Sequence, residues 1–115
     1  MLELSELLRY GASVKASDLF IKENTPPTLR VHGKIQPMDL PPLSADDTRN
    51  LAYSVMTHEQ IGRFEHRHEL DLAFTIEGIT RVRANIYQQR GSIAMVCRLI
   101  PLDIYTLEEL KMPPA

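Results

Sequence analysis

Two arginines, Arg83 and Arg98, are the residues of this sequence whose type and spacing best suit chemistry. They lie in residues 80–89 and 92–100, two stretches that alternate between apolar and polar side chains as hairpin strands do. If Arg90-Gly91 forms the turn, with Gly91 supplying a positive φ, Arg83 directly faces Arg98. Like charges so placed destabilise a sheet, whereas two neighbouring guanidinium groups suit a phosphate. The pattern therefore predicts an anion site at this pair.

The same register gives the hairpin one wholly apolar face. It pairs Val82 with Leu99, Ala84 with Cys97 and Ile86 with Met95. Two other interpretations of the arginines stay open at this point. Both side chains could be simply solvated, or a nearby acid such as Asp71 could hold Arg83.

Composition sets the class of the molecule. A chain of 115 residues has room for one domain with a single core, and its net charge of −2 argues against nucleic-acid binding. The sequence has no apolar run long enough to cross a membrane and no basic region typical of a secretory signal at its start. Its one cysteine, Cys97, falls on the apolar face of its strand and is interpreted as a core residue. Together these features favour a cytoplasmic location.

Periodicity and capping residues predict the remaining elements. A short helix begins near Leu2 and ends near Gly11. Two more helices follow the N-cap residues Ser44 and Thr57. The apolar stripe of the helix after Ser44 consists of Leu51, Ala52, Val55 and Met56. Strands are expected at residues 18–22, 28–32, 34–38 and 70–76, and a last helix at Thr106. A turn at residues 77–79 pairs Phe74 with Val82, which makes residues 69–100 a three-stranded meander. The order of elements predicts an α+β fold, an antiparallel sheet with helices on one face.

Catalytic motifs are missing from the sequence. It contains no P-loop, dinucleotide-binding, zinc-protease or nucleophile-elbow motif, and no paired cysteines. His66 and His68 lack further converging ligands, so no metal site is predicted. The residues alone therefore describe an α+β domain with a candidate anion site and no catalytic machinery of its own.

Several segments in order resemble the type IV pilus retraction ATPases, the PilT/PilU family. They cover essentially the whole chain and are Ala16-Ser-Asp-Leu-Phe-Ile21, Pro26-Pro-Thr-Leu-Arg-Val-His-Gly33, Glu69-Leu-Asp71, Arg81-Val-Arg-Ala-Asn85, Gln88-Gln-Arg-Gly91 and Thr106-Leu-Glu-Glu-Leu110. The sequence departs from many relatives at Phe20, where they carry histidine, and this favours a packing role for that position.

The resemblance implies that residues 1–115 are a single N-terminal, PAS-like domain of a hexameric ATPase, whose RecA-like catalytic domain lies outside this chain. Arginines matching Arg83 and Arg98 would reach the phosphates of ATP bound with Mg²⁺ on a catalytic domain, and Arg81 and Arg90 are weaker candidates. This fragment would bind no cofactor and catalyse no reaction alone. The implied partners are the catalytic domains of its own hexamer and the inner-membrane platform protein of the pilus, with no nucleic acid. The whole protein would sit in the cytoplasm, peripheral to the inner membrane at the pilus base, and drive pilus retraction and twitching motility.

Two rival functions remain. One is the same domain in a pilus-extension or type II secretion ATPase, although a chain that starts at Met1 argues against the extra N-terminal domain usual there. The other is a stand-alone PAS-like sensory module, which predicts an enclosed pocket with converging polar groups.

Overall fold

Three helices and six strands form the part of the chain that the computed structural model describes, residues 2–101. In chain order they are α1 (Leu4–Ser13), β1 (Ala16–Ile21), β2 (Thr28–Val31), β3 (Lys34–Pro37), α2 (Ala45–Tyr53), α3 (His58–Arg67), β4 (Glu69–Ile76), β5 (Thr80–Gln89) and β6 (Ser92–Pro101). The helix predicted at Thr106 lies outside the described residues. Within them, no helix is both long and apolar enough to cross a membrane.

The six strands form one antiparallel sheet in the order β3-β2-β1-β6-β5-β4. The predicted meander of β4, β5 and β6 is present as one half of this sheet. Pairing of β1 with β6 adds the other half, which consists of strands from the start of the chain. The predicted α+β fold is confirmed, and the last described strand lies in the middle of the sheet.

The register predicted for the hairpin of β5 and β6 is confirmed. Val82 pairs with Leu99, Ala84 with Cys97, and Arg83 with Arg98. The turn is formed by Arg90 and Gly91, with φ of 51° and 83°, the sign that a type I′ turn requires at both central residues. On the other side of β5, Phe74 pairs with Val82 as predicted.

Both predicted N-caps form complete capping boxes. Ser44 Oγ accepts a hydrogen bond from the backbone N–H of Asp47, whose carboxylate accepts one from the Ser44 N–H. Thr57 and Gln60 make the same reciprocal pair at the start of α3. Each box satisfies amide groups that the first turn of a helix leaves unpaired, which fixes where α2 and α3 begin.

All three helices cover the same face of the sheet. Their buried side chains, which include Leu8, Ala52 and Phe64, pack against the apolar face of the central strands, including Val82 and Cys97. Burial of one large apolar side chain of this kind contributes about 1.5–3 kcal/mol. The opposite face of the sheet carries none of these helices and is called the open face below.

Two helix ends differ from the prediction. α1 continues past Gly11 to Ser13, and Gly11 is buried beside Leu29 and Leu99. This glycine allows the helix to approach the sheet closely and does not end it. α2 ends at Tyr53, so Val55 and Met56, which were predicted on its apolar stripe, lie in the link to α3 and pack against the core from there.

Candidate functional site

The open face carries a row of charged residues that crosses the middle of the sheet. Pairing places Arg30 of β2 opposite Asp18 of β1, Asp18 opposite Arg98 of β6, and Arg98 opposite Arg83 of β5. Neighbouring strands lie about 4.8 Å apart, so the row is a short, continuous line of side chains. Sequence reasoning predicted only its last pair, Arg83 and Arg98.

Arg83 and Arg98 line an open pocket of about 470 Å³ on this face. Asn85 and Asp71 lie on one side of the pocket, and Asp18 lies on the other. Among residues 2–101, no carboxylate oxygen lies within 4.0 Å of the Arg83 guanidinium. Arg83 therefore has no carboxylate in contact with it among residues 2–101, although Asp18 and Asp71 also line the pocket. The two guanidinium groups can donate charge-assisted hydrogen bonds to a phosphate.

Asp71 does not hold Arg83, although it stands nearby on the adjacent strand. Its Oδ1 accepts a hydrogen bond of 2.8 Å from Asn85 Nδ2, the residue directly opposite it. The interpretation that an Asp71 ion pair neutralises Arg83 is therefore wrong for this conformation. Solvation of Arg83, the other alternative, is compatible with the geometry.

Arg98 has an acidic neighbour that the sequence did not reveal. Its Nε lies 3.7 Å from Asp18 Oδ1, and the Arg98 side chain is 71% exposed whereas that of Asp18 is 7% exposed. The sequence predicted only that Asp18 begins a strand. The pairing of that strand with β6 joins residues far apart in sequence, and nothing local predicts it.

The other candidate arginines differ in position. Arg81 lies two residues from Arg83 on the same face of β5, opposite Ile100. Arg90 lies in the turn at the far end of the hairpin, seven residues and about 23 Å from Arg83 along the strand. The structure thus brings Arg81 near the pair but leaves Arg90 apart from it. Arg30 is engaged elsewhere, since its Cζ lies 5.4 Å from the centre of the Phe20 ring.

A second pocket, of about 370 Å³, lies on the helix side between α2, α3 and the β5–β6 turn. The polar groups along it are already paired. Tyr53 Oη donates to Glu65 at 3.1 Å, and burial raises the pKa of this tyrosine. Gln88 Oε1 lies 2.7 Å from His68 Nδ1. Arg49 also lines this pocket, and its Nη1 lies 3.9 Å from Asp46 Oδ1.

Metal-binding side chains do not converge in residues 2–101, where no three His, Cys, Asp or Glu residues are placed to hold an ion. His66 and His68 lie at the end of α3 and its C-cap. The donors that do converge on the open face are guanidinium groups, which bind anions.

Comparison with known proteins defines the class of the domain. No model of a known protein family matches the chain. A crystal structure of the pilus retraction motor PilT with bound ADP superposes with a TM-score of 0.82 and 34% sequence identity, and the match covers 99% of this chain and 34% of that one. The fold is therefore that of the N-terminal domain of a secretion-type ATPase.

The related sequences identify the family within that class. The type IV pilus ATPase PilU of Pseudomonas aeruginosa is 39% identical over 97% of this chain, and the retraction ATPase PilT of the same organism is 36% identical over 96%. The chain belongs to the PilT/PilU family of type IV pilus ATPases, as the sequence resemblance indicated. It spans 29% and 32% of the length of these two relatives.

Proposed function

We propose that this chain is the N-terminal domain of a hexameric ATPase that retracts type IV pili, and that Arg83 and Arg98 contact the phosphates of ATP held by a catalytic domain. The observation that carries the proposal is the direct opposition of these two arginines on the open face, with Arg83 unpaired among residues 2–101. Such arginines stabilise the charge that develops on the phosphoryl group during transfer.

The chemistry of the two arginines fits a role in contacting phosphate while another domain holds the Mg²⁺. Two guanidinium groups suit phosphate oxygens but not Mg²⁺, which prefers carboxylate and water ligands. The Mg²⁺ and the P-loop would therefore belong to the catalytic domain, which is not encoded in these residues. No helix among residues 2–101 covers the open face, which leaves room for a second domain to bring its nucleotide against the pair.

The remaining features of the proposal concern the whole protein. Residues 1–115 form its N-terminal domain, which packs on the catalytic domains of the hexamer. The ring acts in the cytoplasm against the inner-membrane platform protein of the pilus. The named similarity to PilT and PilU favours retraction over extension or type II secretion. The open shape of the arginine pocket favours contact with another domain over a stand-alone sensory role.

The test is ATP turnover by the whole protein with single arginine substitutions. Arg83→Ala or Arg98→Ala should lower turnover by about 10³-fold, the range measured for arginines that stabilise a transferring phosphate. Because both side chains are exposed, stability should change by no more than about 0.5 kcal/mol. Arg30→Ala is the matched control, since Arg30 stands in the same row but stacks on Phe20.

Three results would contradict the proposal. Unchanged turnover in both variants would mean that the pair is not at the nucleotide, and unfolding of either variant would mean that it is structural. Phosphate release by residues 1–115 alone, clearly above a buffer blank, would contradict the assignment of catalysis to another domain.

A further inference from the structure

β4 is the last strand on one side of the sheet, and among residues 2–101 only β5 pairs with it. We propose that the outer edge of β4, on the side away from β5, binds an extended segment of a partner protein in which apolar and basic side chains alternate. The segment adds to the sheet as a further strand, which is an established mode of peptide recognition. This proposal does not depend on the nucleotide role of the arginines.

Hydrogen bonding to β5 determines which backbone groups of β4 face outward. The N–H of Gln88 donates to the carbonyl of His68 at 3.0 Å, and this pair continues the register in which Glu69 faces Tyr87. Hydrogen-bonded and non-hydrogen-bonded pairs alternate along antiparallel strands, so the even-numbered residues of β4 bond to β5. The N–H and C=O groups that point outward therefore belong to Glu69, Asp71, Ala73 and Thr75.

The two edges of the sheet differ in how well they can pair. β3, at the opposite edge, has four residues and ends at Pro37, which has no N–H to donate. Short length and proline are two of the features by which proteins prevent pairing at an edge. β4 has eight residues and no proline. Of these two edges, β4 is therefore the one that can accept a long strand.

A groove beside the edge explains why the partner needs apolar side chains. Phe74 and Ile76 are half-buried, whereas Val82, the partner of Phe74 on β5, is fully buried. The two side chains line a groove of about 380 Å³ on the helix side, together with Leu2, Leu51 and Val55. An added strand would lie about 4.8 Å from β4, so its side chains on the helix side would cover this groove.

The charge of β4 favours basic side chains at the other positions of the partner. Glu69 and Asp71 are exposed on the open face, and Glu3 lines the groove. Opposite charges that face each other across strands stabilise a sheet, and like charges destabilise it. A second copy of β4 would bring its own acids onto the same face. A lysine- or arginine-bearing strand therefore fits this edge better than a second copy of the chain.

The experiment adds a synthetic peptide of alternating lysine and valine to the ¹⁵N-labelled 115-residue chain and measures backbone hydrogen exchange by NMR. With the free peptide at about nine times its dissociation constant, the outward amides should exchange about tenfold more slowly, because they exchange only in the unbound chain. These are the amides of Glu69, Asp71, Ala73 and Thr75. The amides that already bond to β5 should change much less, which gives an alternating pattern along the strand.

Two control peptides separate strand addition from general attraction. The same peptide methylated at every backbone nitrogen keeps its charges and valines but has no N–H to donate. A peptide with glutamate in place of lysine keeps its backbone donors but reverses the charge. Neither peptide should protect the outward amides at the concentration at which the lysine–valine peptide does.

A matched pair of variants tests the role of charge. Glu69→Lys should weaken binding of the lysine–valine peptide by about fivefold. Glu59→Lys makes the same change at an exposed position on α3 and should have a smaller effect. Equal effects of the two variants would overturn the preference for a basic strand.

Other outcomes would overturn strand addition itself. Outward amides that are already protected in the free chain would mean that this chain or a second copy covers the edge. Equal protection by the methylated peptide would mean that binding does not involve backbone pairing. Unchanged exchange with the lysine–valine peptide at millimolar concentration would mean that the edge does not bind such strands.

Discussion

Asn85 donates its side-chain amide to Asp71, its partner on the neighbouring strand, at 2.8 Å. This hydrogen bond engages one oxygen, Oδ1, of the Asp71 carboxylate, which lies diagonally next to Arg83 on the open face. Cross-strand diagonals are within reach of long side chains, so a free Asp71 could pair with Arg83. We therefore expect the amide of Asn85 to hold the Asp71 carboxylate away from Arg83.

Asn85→Ala should therefore weaken pyrophosphate binding by residues 1–115. The freed Asp71 would pair with Arg83, and an exposed ion pair of this kind is worth about 0.2–1 kcal/mol, or up to about fivefold in the dissociation constant. NMR titration measures the change. Adding Asp71→Asn to the same variant should restore the original affinity, because the competing charge is gone. A double variant that still binds weakly would show that Asn85 contacts the anion itself.

Replacing one arginine of the opposed pair should make the fold more stable. Arg83→Thr removes a like-charge contact with Arg98 and introduces a residue with high strand propensity. We expect a gain of about 0.2–1 kcal/mol in the free energy of unfolding, measured by urea denaturation. Arg81→Thr is the matched control, since Arg81 faces Ile100 and should give a smaller gain. Equal effects of the two substitutions would mean that repulsion within the pair is negligible.

Gly11 should not tolerate a branched side chain. A Cβ at this position would lie 3.2 Å from Leu29 Cδ2 and 3.4 Å from Leu99 Cδ2. Gly11→Val should cost about 1–3 kcal/mol of stability, because overpacking forces α1 away from the sheet. Thermal unfolding measures this loss. Gly62, inside α3, has no such neighbour within 4 Å. Gly62→Ala should instead add about 0.5–1 kcal/mol through helix propensity.

Cys97 should react with thiol reagents only when the domain unfolds. Burial raises the pKa of its thiol to about 12, so almost no thiolate exists in the folded state at pH 8. Labelling with a chromogenic disulfide at that pH should be slow in buffer and fast in urea. Rapid labelling of the native chain would contradict burial of the thiol.

The raised pKa of Cys97 also makes the stability of the fold depend on pH. The unfolded thiol ionises above its ordinary pKa of 9.0, whereas the folded thiol stays protonated up to about 12. The contribution of Cys97 to stability is therefore fully present below pH 9 and decreases as the pH rises between these values. Urea denaturation of the unchanged chain and of Cys97→Ala should show a weaker alkaline decline in the variant.

Local patterns predicted one half of the sheet well. The alternation from Leu70 to Ile100 fixed both registers of the meander, because a slip of one residue would turn the apolar side chains of a strand to solvent. Ser44 and Thr57 fixed the starts of two helices for an equally local reason, since each bonds an amide three residues on. These signals do not depend on the rest of the chain.

The parts of the site that the sequence did not predict depend on contacts between distant segments. The carboxylate of Asp18 enters the arginine pocket only because β1 pairs with β6. A bulge at Ser17, next to that carboxylate, has no glycine to mark it in the sequence. Gly11 was interpreted as a helix end for a similar reason, because only the packed sheet shows that Leu29 and Leu99 need its missing side chain.

The central position of β6 determines the order in which the strands of the sheet can pair during folding. β1 and β2 emerge from the ribosome well before β6, yet β6 is the strand that joins them to β5. A sheet closed by such distant strands folds late and slowly, because the chain loses loop entropy before the pairing can stabilise it. Asp18 and Arg98 meet in this last pairing. A nascent chain that lacks β6 therefore lacks the pocket between Arg83 and Arg98, and the proposed anion site arises in the same step that completes the described sheet.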